Sequence, residues 1–309
     1  MSNLSKLIIL YGDISNKKND KHQLMIDGKV TCGYREYAKS FGHIIYMTPQ
    51  DIKLPWEHVI LKPKNVIKFI NKYPDVIVWS VKYSPKKDKE ILSKVKNKKI
   101  YYSCNSKNMY NNSCDISLVD TEKRIRSNAK LWFKGKDPNY WIPLNEEKKE
   151  YDYLLIGLRG DKNEIYFLKK LNKIKHQRKI LWIGGYKFKK KIPESHHSIE
   201  LTKKISQDEV RDNIAKAKVG VLFTELRVEG FPQSFLEMSM CGVPVVYNKR
   251  APTNKFYFHK ENSLLCMKGD IIKSAETLLK NRDQVKCREA SIKNYSLEKS
   301  YERILSCLK

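Results

Sequence analysis

The chain has 309 residues, 61 of them Lys or Arg against 34 Asp or Glu, for a net charge of +27. This length predicts two domains of ordinary size with apolar content for two cores, and no apolar run approaches the length of a membrane span; Leu7–Tyr11 is far too brief even for a signal core. Seven scattered cysteines (Cys32, Cys104, Cys114, Cys241, Cys266, Cys287 and Cys307) have no C-x-x-C and no Cys/His ligand spacing, which argues against structural zinc and for reduced thiols in a cytoplasmic compartment.

The basic excess is even, with 29 basic and 16 acidic residues in 1–150 and 32 and 18 in 151–309, so no single tail carries it. Such a surface attracts polyanions, whether nucleic acid or an anionic membrane. Abundant Lys, Asn, Ile and Tyr are also what A·T-rich coding produces, so both origins of the charge stay open.

In chain order, Lys6 to Tyr11 reads as a buried strand followed by a polar loop from Gly12 to about Asp27. Residues 28–42 then read as loop and helix, with Tyr34, Tyr37, Ala38 and Phe41 at helical spacing, before a strand from His43 to Met47. Strand, loop, helix, strand is the opening of a Rossmann-like half. Gly28 and Gly33 are candidates for close backbone approach to a ligand, or simply for loop flexibility. Asp75 to Trp79 and Lys99 to Ser103 are further buried strands, and the basic helix predicted across residues 83–99 is a solvated face. Asp115 to Val119 is followed by the basic stretch 121–130. The aromatic- and proline-rich run 131–144 follows.

Tyr151 to Leu158 opens the second half as a strand, and Arg159 and Lys162 sit at its tip, where open α/β sheets bind ligands. Lys179 to Gly185 is the next strand, its glycines, Gly184 among them, letting backbone approach a flat base. Residues 186–192 mix aromatics with lysines, a pattern that holds nucleic acid by stacking and charge or is an exposed loop. His196 and His197 have no third ligand nearby. Ser206-x-x-Glu209 is a capping box for a helix to Ala217. Residues 228–246, VEGFPQSFLEMSMCGVPVV, read as loop, helix, tight turn and buried strand, with Pro232 suited to the first helical turn and Gly242 to the stop. Glu237 lies among Phe235, Leu236, Met238 and Met240, and a carboxylate so close to an apolar face needs a partner. The free N–H groups around Gln233 and Ser234 face the same space as Glu229. Together they make a site for an anion with hydroxyls attached, a description that a nucleotide-sugar fits.

Glu229, the Gly230-Phe231-Pro232 turn, Glu237 and Cys241-Gly242-Val243-Pro244 resemble the donor-site signature of retaining GT-B glycosyltransferases, with two glutamates separated by seven residues (E-x7-E). The resemblance covers residues 151–309 well and 1–150 in outline. It implies an α/β fold of two Rossmann-like domains facing each other across a cleft. It implies that residues 1–143 are the acceptor side, with Asp115 to Val119 and residues 121–130 as its last strand and helix, that the segment 131–144 crosses between domains with the boundary near Pro143, that 144–309 bind the donor, and that a last helix over 297–308 crosses back. It assigns Glu237 to the ribose hydroxyls, Glu229 to a hydroxyl of the transferred sugar, and Arg159 and Lys162 to the departing diphosphate. Gly230, Phe231, Gln233 and Ser234 line the donor turn, Gly184 faces the base, and the loop with Gly28 and Gly33 reaches toward the phosphates. Three departures stand out. The spacing of Arg159 and Lys162 is short, Lys134 replaces Asn in an Asn-Gly-x-Asp turn (Lys134, Gly135, Asp137), and Ser103, Cys104 and Asn105 stand where a histidine is usual.

The implied reaction is retaining transfer from a nucleotide-sugar, most commonly a uridine diphosphate sugar, without a metal; no Asp-x-Asp site is present. Cations fixed in advance stabilise the charge of a leaving diphosphate most in the transition state. For the acceptor, the basic, anchor-free chain favours DNA carrying a hydroxymethylated base such as 5-hydroxymethylcytosine, as in phage-type modification. The alternative is a glycan or lipid carrier at an anionic membrane. A non-catalytic binding relic is the third reading, opposed by the presence of Glu229, Glu237 and Arg159.

Overall fold

In the computed structural model the described residues are 7–11, 42–47, 59–61, 67–68, 70–81, 91–102, 113–119, 128–157, 161–223, 232–248 and 260–309. By internal contact the chain divides into two units, Met1–Lys134 with Ser300–Lys309, and Gly135–Lys299.

The first unit is built on a parallel sheet of β1 (Leu7–Tyr11), β2 (Gly42–Met47), β3 (Val59–Leu61), β4 (Ile77–Val81), β5 (Lys99–Tyr102), β6 (Ile116–Val119) and β7 (Ala129–Leu131), in the order β3-β2-β1-β4-β5-β6-β7. Strand order reverses beside β1, which pairs with β2 on one side and β4 on the other. Residues 91–94 are helical, and Ile91, Leu92 and Val95 are buried with Ile70, Val76, Val78 and Tyr101. The basic stretch therefore has one apolar face in the core, while Ser93, Lys94 and Lys96 lie at its surface or outside that cluster. Of the helix expected over 121–130, residues 121–127 lie outside the described residues, and its end is not helical. Ala129 and Lys130 belong to β7, paired with Ser117 and Leu118, because this edge position offers backbone partners that local propensity does not reveal.

The second unit is a parallel sheet of β8 (Tyr151–Ile156), β9 (Lys179–Ile183), β10 (Ser198–Leu201), β11 (Ala217–Leu222), β12 (Val245–Asn248) and β13 (Ser263–Cys266), ordered β10-β9-β8-β11-β12-β13. Its helices are α1 (Asp161–Leu171), α2 (Gln207–Ala215), α3 (Gln233–Met240), α4 (Ile271–Asn281) and α5 (Gln284–Tyr295); α6 (Leu297–Leu308) begins here and continues into the first unit. Central strands are apolar on both faces, as a sheet covered by helices requires: Tyr153, Leu154, Leu155, Val219, Val245 and Val246 are fully buried. Ser206 caps α2 as expected, with Glu209 N–H donating to Ser206 Oγ and Ser206 N–H to Glu209 Oε2. Because all strands are parallel, their carboxyl ends share one edge, and the loops and helix starts beyond it define where a ligand binds.

Candidate functional site

Helix α3 lies at that edge. Pro232 is its N-cap, at φ −68° and ψ 129°, one position ahead of the first-turn place expected from sequence. Having no side-chain acceptor, Pro232 leaves the N–H groups of Gln233 and Ser234 uncapped, and the first turn holds no acid. Gln233 Oε1 is buried and makes no hydrogen bond. The rest of the helix is packed hard: Phe235, Leu236, Met238 and Met240 are all fully buried. A Cβ at Gly220 would collide with Met238 Sδ, so glycine on β11 is what lets α3 seat on the sheet. The helix stops at Gly242, whose φ of +68° is left-handed, as expected from sequence.

Glu237 projects from this apolar helix, and the partner its environment demands is Lys136. The Lys136 Nζ donates to Glu237 Oε1 at 2.8 Å, with the lysine side chain 1% and the glutamate 15% exposed. The same ammonium lies 5.2 Å from the centroid of the buried Trp141 ring. Among the described residues Glu237 Oε2 accepts no hydrogen bond, so one carboxylate oxygen is held and the other is available.

The lysine is fixed from behind. Lys136 N–H donates to Tyr295 O at 2.9 Å and Leu297 N–H to Lys136 O at 3.1 Å, a bridge of parallel-strand type to Ser296. Gly135 is needed for this approach, since a Cβ there would fall 2.5 Å from Ser296 O. Arg288 then clamps residues 138–141 onto the end of α3, donating to Pro138 O (2.8 Å), Trp141 O (2.7 Å) and Met240 O (2.5 Å).

The start of α1 brings Lys162 to the same edge of the sheet, in the first turn after β8. That turn is anchored by Asn163 and Glu164, which are 4% and 5% exposed. Lys268, just past β13, donates to Asn163 Oδ1 at 2.6 Å, and Glu164 Oε1 packs against Gly157 at the tip of β8. Beyond β9, Gly184 adopts φ 81° and donates its N–H to Thr202 Oγ1 at 3.1 Å. Arg159, Glu229, Gly230, Phe231, Gly28 and Gly33 lie outside the described residues. His196 and His197 are structural: His197 Nε2 meets Leu171 O at 2.9 Å and its Nδ1 accepts from Arg178 N–H.

Lys136 is the site residue that sequence reading missed. It is the unassigned position of the Lys134-Gly135-x-Asp137 turn, and a lysine in a turn reads as surface. The available signal was the unpartnered Glu237 itself.

Residues 152–281 match the family model described as Glycosyl transferases group 1. No curated protein sequence matches the chain. Among solved structures, a glycosyltransferase from Rickettsia africae is similar at 12% identity and a TM-score of 0.66, covering 99% of this chain and 98% of that one. An alpha-glucosyltransferase in complex with UDP and a mismatched DNA is similar at 11% identity and a TM-score of 0.67, covering 98% and 100%. The lipopolysaccharide outer core galactosyltransferase WaaB is similar at 13% identity and a TM-score of 0.60, covering 97% and 98%. These likenesses show the fold, which is GT-B.

Proposed function

We propose, from a second unit with the group 1 glycosyltransferase pattern on a GT-B fold, that this chain moves a sugar from a UDP-sugar to an acceptor hydroxyl with retention at the anomeric carbon. The observation that carries this reading is Glu237, a carboxylate on a buried apolar helix with one oxygen on Lys136 and the other available beside an uncapped helix end.

In this reading Glu237 Oε2 accepts the ribose hydroxyls, and Glu229 accepts a hydroxyl of the transferred sugar. A charged acceptor of this kind discriminates strongly against an analogue lacking the hydroxyl, because the carboxylate would be left unpaired. The N–H groups of Gln233 and Ser234, with Arg159 and Lys162, take the diphosphate. Charge grows on the diphosphate as the anomeric bond breaks, so these donors act mainly on turnover. Gly184 lies against the base, with Gly230 and Phe231 at the donor turn and Gly28 and Gly33 toward the phosphates. The first unit takes the acceptor side, and no residue is assigned to a metal.

The acceptor we propose is a hydroxymethylated base in DNA. The net charge of +27 supports it, as does the similar alpha-glucosyltransferase solved with UDP and DNA. The second reading, a glycan or lipid-linked acceptor at a membrane surface, is supported by the likeness to WaaB. Incubation with radiolabelled nucleotide-sugars, hydroxymethylated duplex DNA and a bacterial lipid fraction separates them. Label in the DNA is expected; label in the lipid alone moves the acceptor to the membrane, and no nucleotide release with any donor rejects the transferase.

A further inference from the structure

Six lysines gather on a rigid support at the carboxyl ends of β9 and β10. Residues Gly185–Lys191 form a 3-10 helix that carries Lys187, Lys189, Lys190 and Lys191, and the chain leaving β10 adds Lys203 and Lys204. The two segments are tied together, Tyr186 N–H donating to Thr202 O at 3.0 Å and Gly184 N–H to Thr202 Oγ1. Underneath, Phe188 stacks on the buried Trp182 at 5.4 Å, and a Cβ at Gly185 would run into the Trp182 side chain at 2.5 Å. The lysines therefore stand on a built platform.

Their mutual arrangement is unfavourable as it stands. In a 3-10 helix residues three apart eclipse, which puts Lys187 beside Lys190, and like charges at such spacing repel. Four other lysines of this unit have acid partners: Lys136 with Glu237, Lys216 with Glu150, Lys218 with Asp152 and Lys286 with Asp283. Among the described residues none of Lys187, Lys189, Lys190, Lys203 and Lys204 forms an ion pair, though all are exposed. Two of them lie over aromatic rings instead, Lys187 over Phe188 at 4.7 Å and Lys203 over Tyr186 at 5.1 Å. Tyr186 is 47% exposed among them.

From this we infer that the ledge of Lys187, Lys189, Lys190, Lys203 and Lys204 with Tyr186 is a docking surface for the phosphate backbone of duplex DNA. It rests on the proposed function for why DNA is brought there, since the ledge shares the carboxyl edge of the sheet with α3. A row of fixed cations suits a duplex, which carries regularly spaced phosphates and a condensed counterion layer that binding releases. A membrane-lying element would need an apolar face to bury in the acyl boundary. Here Phe188 and Ile192 are half-buried, and Tyr186 is the one large apolar side chain of the ledge that is exposed.

The test compares the full chain with two five-lysine variants, K187A/K189A/K190A/K203A/K204A on the ledge and K148A/K273A/K280A/K286A/K293A on helices away from it. Binding to a short DNA duplex is followed by fluorescence anisotropy across salt, and UDP binding by calorimetry. The ledge variant is expected to bind the duplex at least about tenfold more weakly, with a log–log salt slope shallower by about 2 to 4 at about −0.9 per phosphate. Arginine at the same five positions should restore both, and the control variant should change by less than about threefold. UDP binding should be equal in all of them. Equal losses in the two alanine variants, or no duplex binding by the wild type, overturn the ledge. So does loss of binding to phosphatidylserine-containing vesicles with duplex binding intact. A wild type that binds duplex through the ledge but does not bind UDP leaves the ledge standing and removes the donor reading.

Discussion

Lys136 and Glu237 make the sharpest case for single side chains. Glu237→Ala should abolish transfer and lower the melting temperature at least as far as Lys136→Met, because it takes the carboxylate from an ammonium whose side chain is 1% exposed and leaves the Trp141 ring as only a partial substitute. Lys136→Met strands a carboxylate that is only 15% exposed, which at the low end for broken buried pairs costs about 3 kcal/mol. The double variant K136M/E237M should regain most of that stability and none of the activity. Thermal melts beside UDP titrations decide it; a Lys136→Met protein that melts and binds UDP like wild type would mean the pair does not hold the carboxylate. Arg159→Ala should lower turnover more than donor affinity, and a change confined to affinity would reduce its role to ordinary binding. A fourth residue responds to pH. Burial pulls Lys149, whose Nζ donates to Ala215 O, down to about 8 from its ordinary 10.5. Between those values the unfolded chain holds a proton that the native lysine has shed, so stability attributable to Lys149 rises with pH across the window and levels off above it. Lys149→Met should remove that rise in denaturant midpoints measured from pH 8 to about 10. The Lys136 pairing itself was not legible, since its partner is 101 residues away and neither periodicity nor turn chemistry links them.

At the level of elements, α3 is where local sequence and packing agree best. The predicted run of apolar residues, the stop at Gly242 and the strand beyond it all match the structure, because helix period, glycine φ and β-branched content point the same way. Gly242→Ala should cost about 1–2 kcal/mol for the left-handed backbone, with added strain because a Cβ would lie 2.6 Å from the Gln284 side chain. A lowered melting point with UDP affinity preserved below the transition is the expected result; an unchanged melt would mean the turn relaxes. Elements at sheet edges were the ones that sequence concealed. β10 is Ser-Ile-Glu-Leu with no fully buried residue, β7 is only Ala-Lys-Leu, and β3 is three residues long. An edge strand is covered on fewer sides, so it lacks the continuous apolar run that made β8, β9 and β11 readable.

On the scale of the whole molecule, the second unit is a continuous segment inserted into a discontinuous first one. The ends of the insertion lie together, Lys136 being bridged to Ser296, so residues 135–299 form a closed module by themselves. The first unit is completed by the last ten residues of the chain. Trp132 Nε1 donates to Ser300 O at 3.1 Å, Ser300 Oγ donates to Phe133 O at 2.6 Å, and the Arg303 guanidinium covers the Phe133 ring. Synthesis therefore runs against the usual order, in which the amino-terminal domain folds first. The inserted unit leaves the ribosome whole while the earlier unit still waits for the end of α6. A chain stopped after Lys299 should accordingly protect residues 135–299 from protease and leave 1–134 open to it. Finding 1–134 equally protected in that shortened chain would show that the early unit closes without its final helix. If it does not, the amino-terminal half stays an unfinished sheet until residues 300–309 have been made, and any chaperone that attends this chain has its work there.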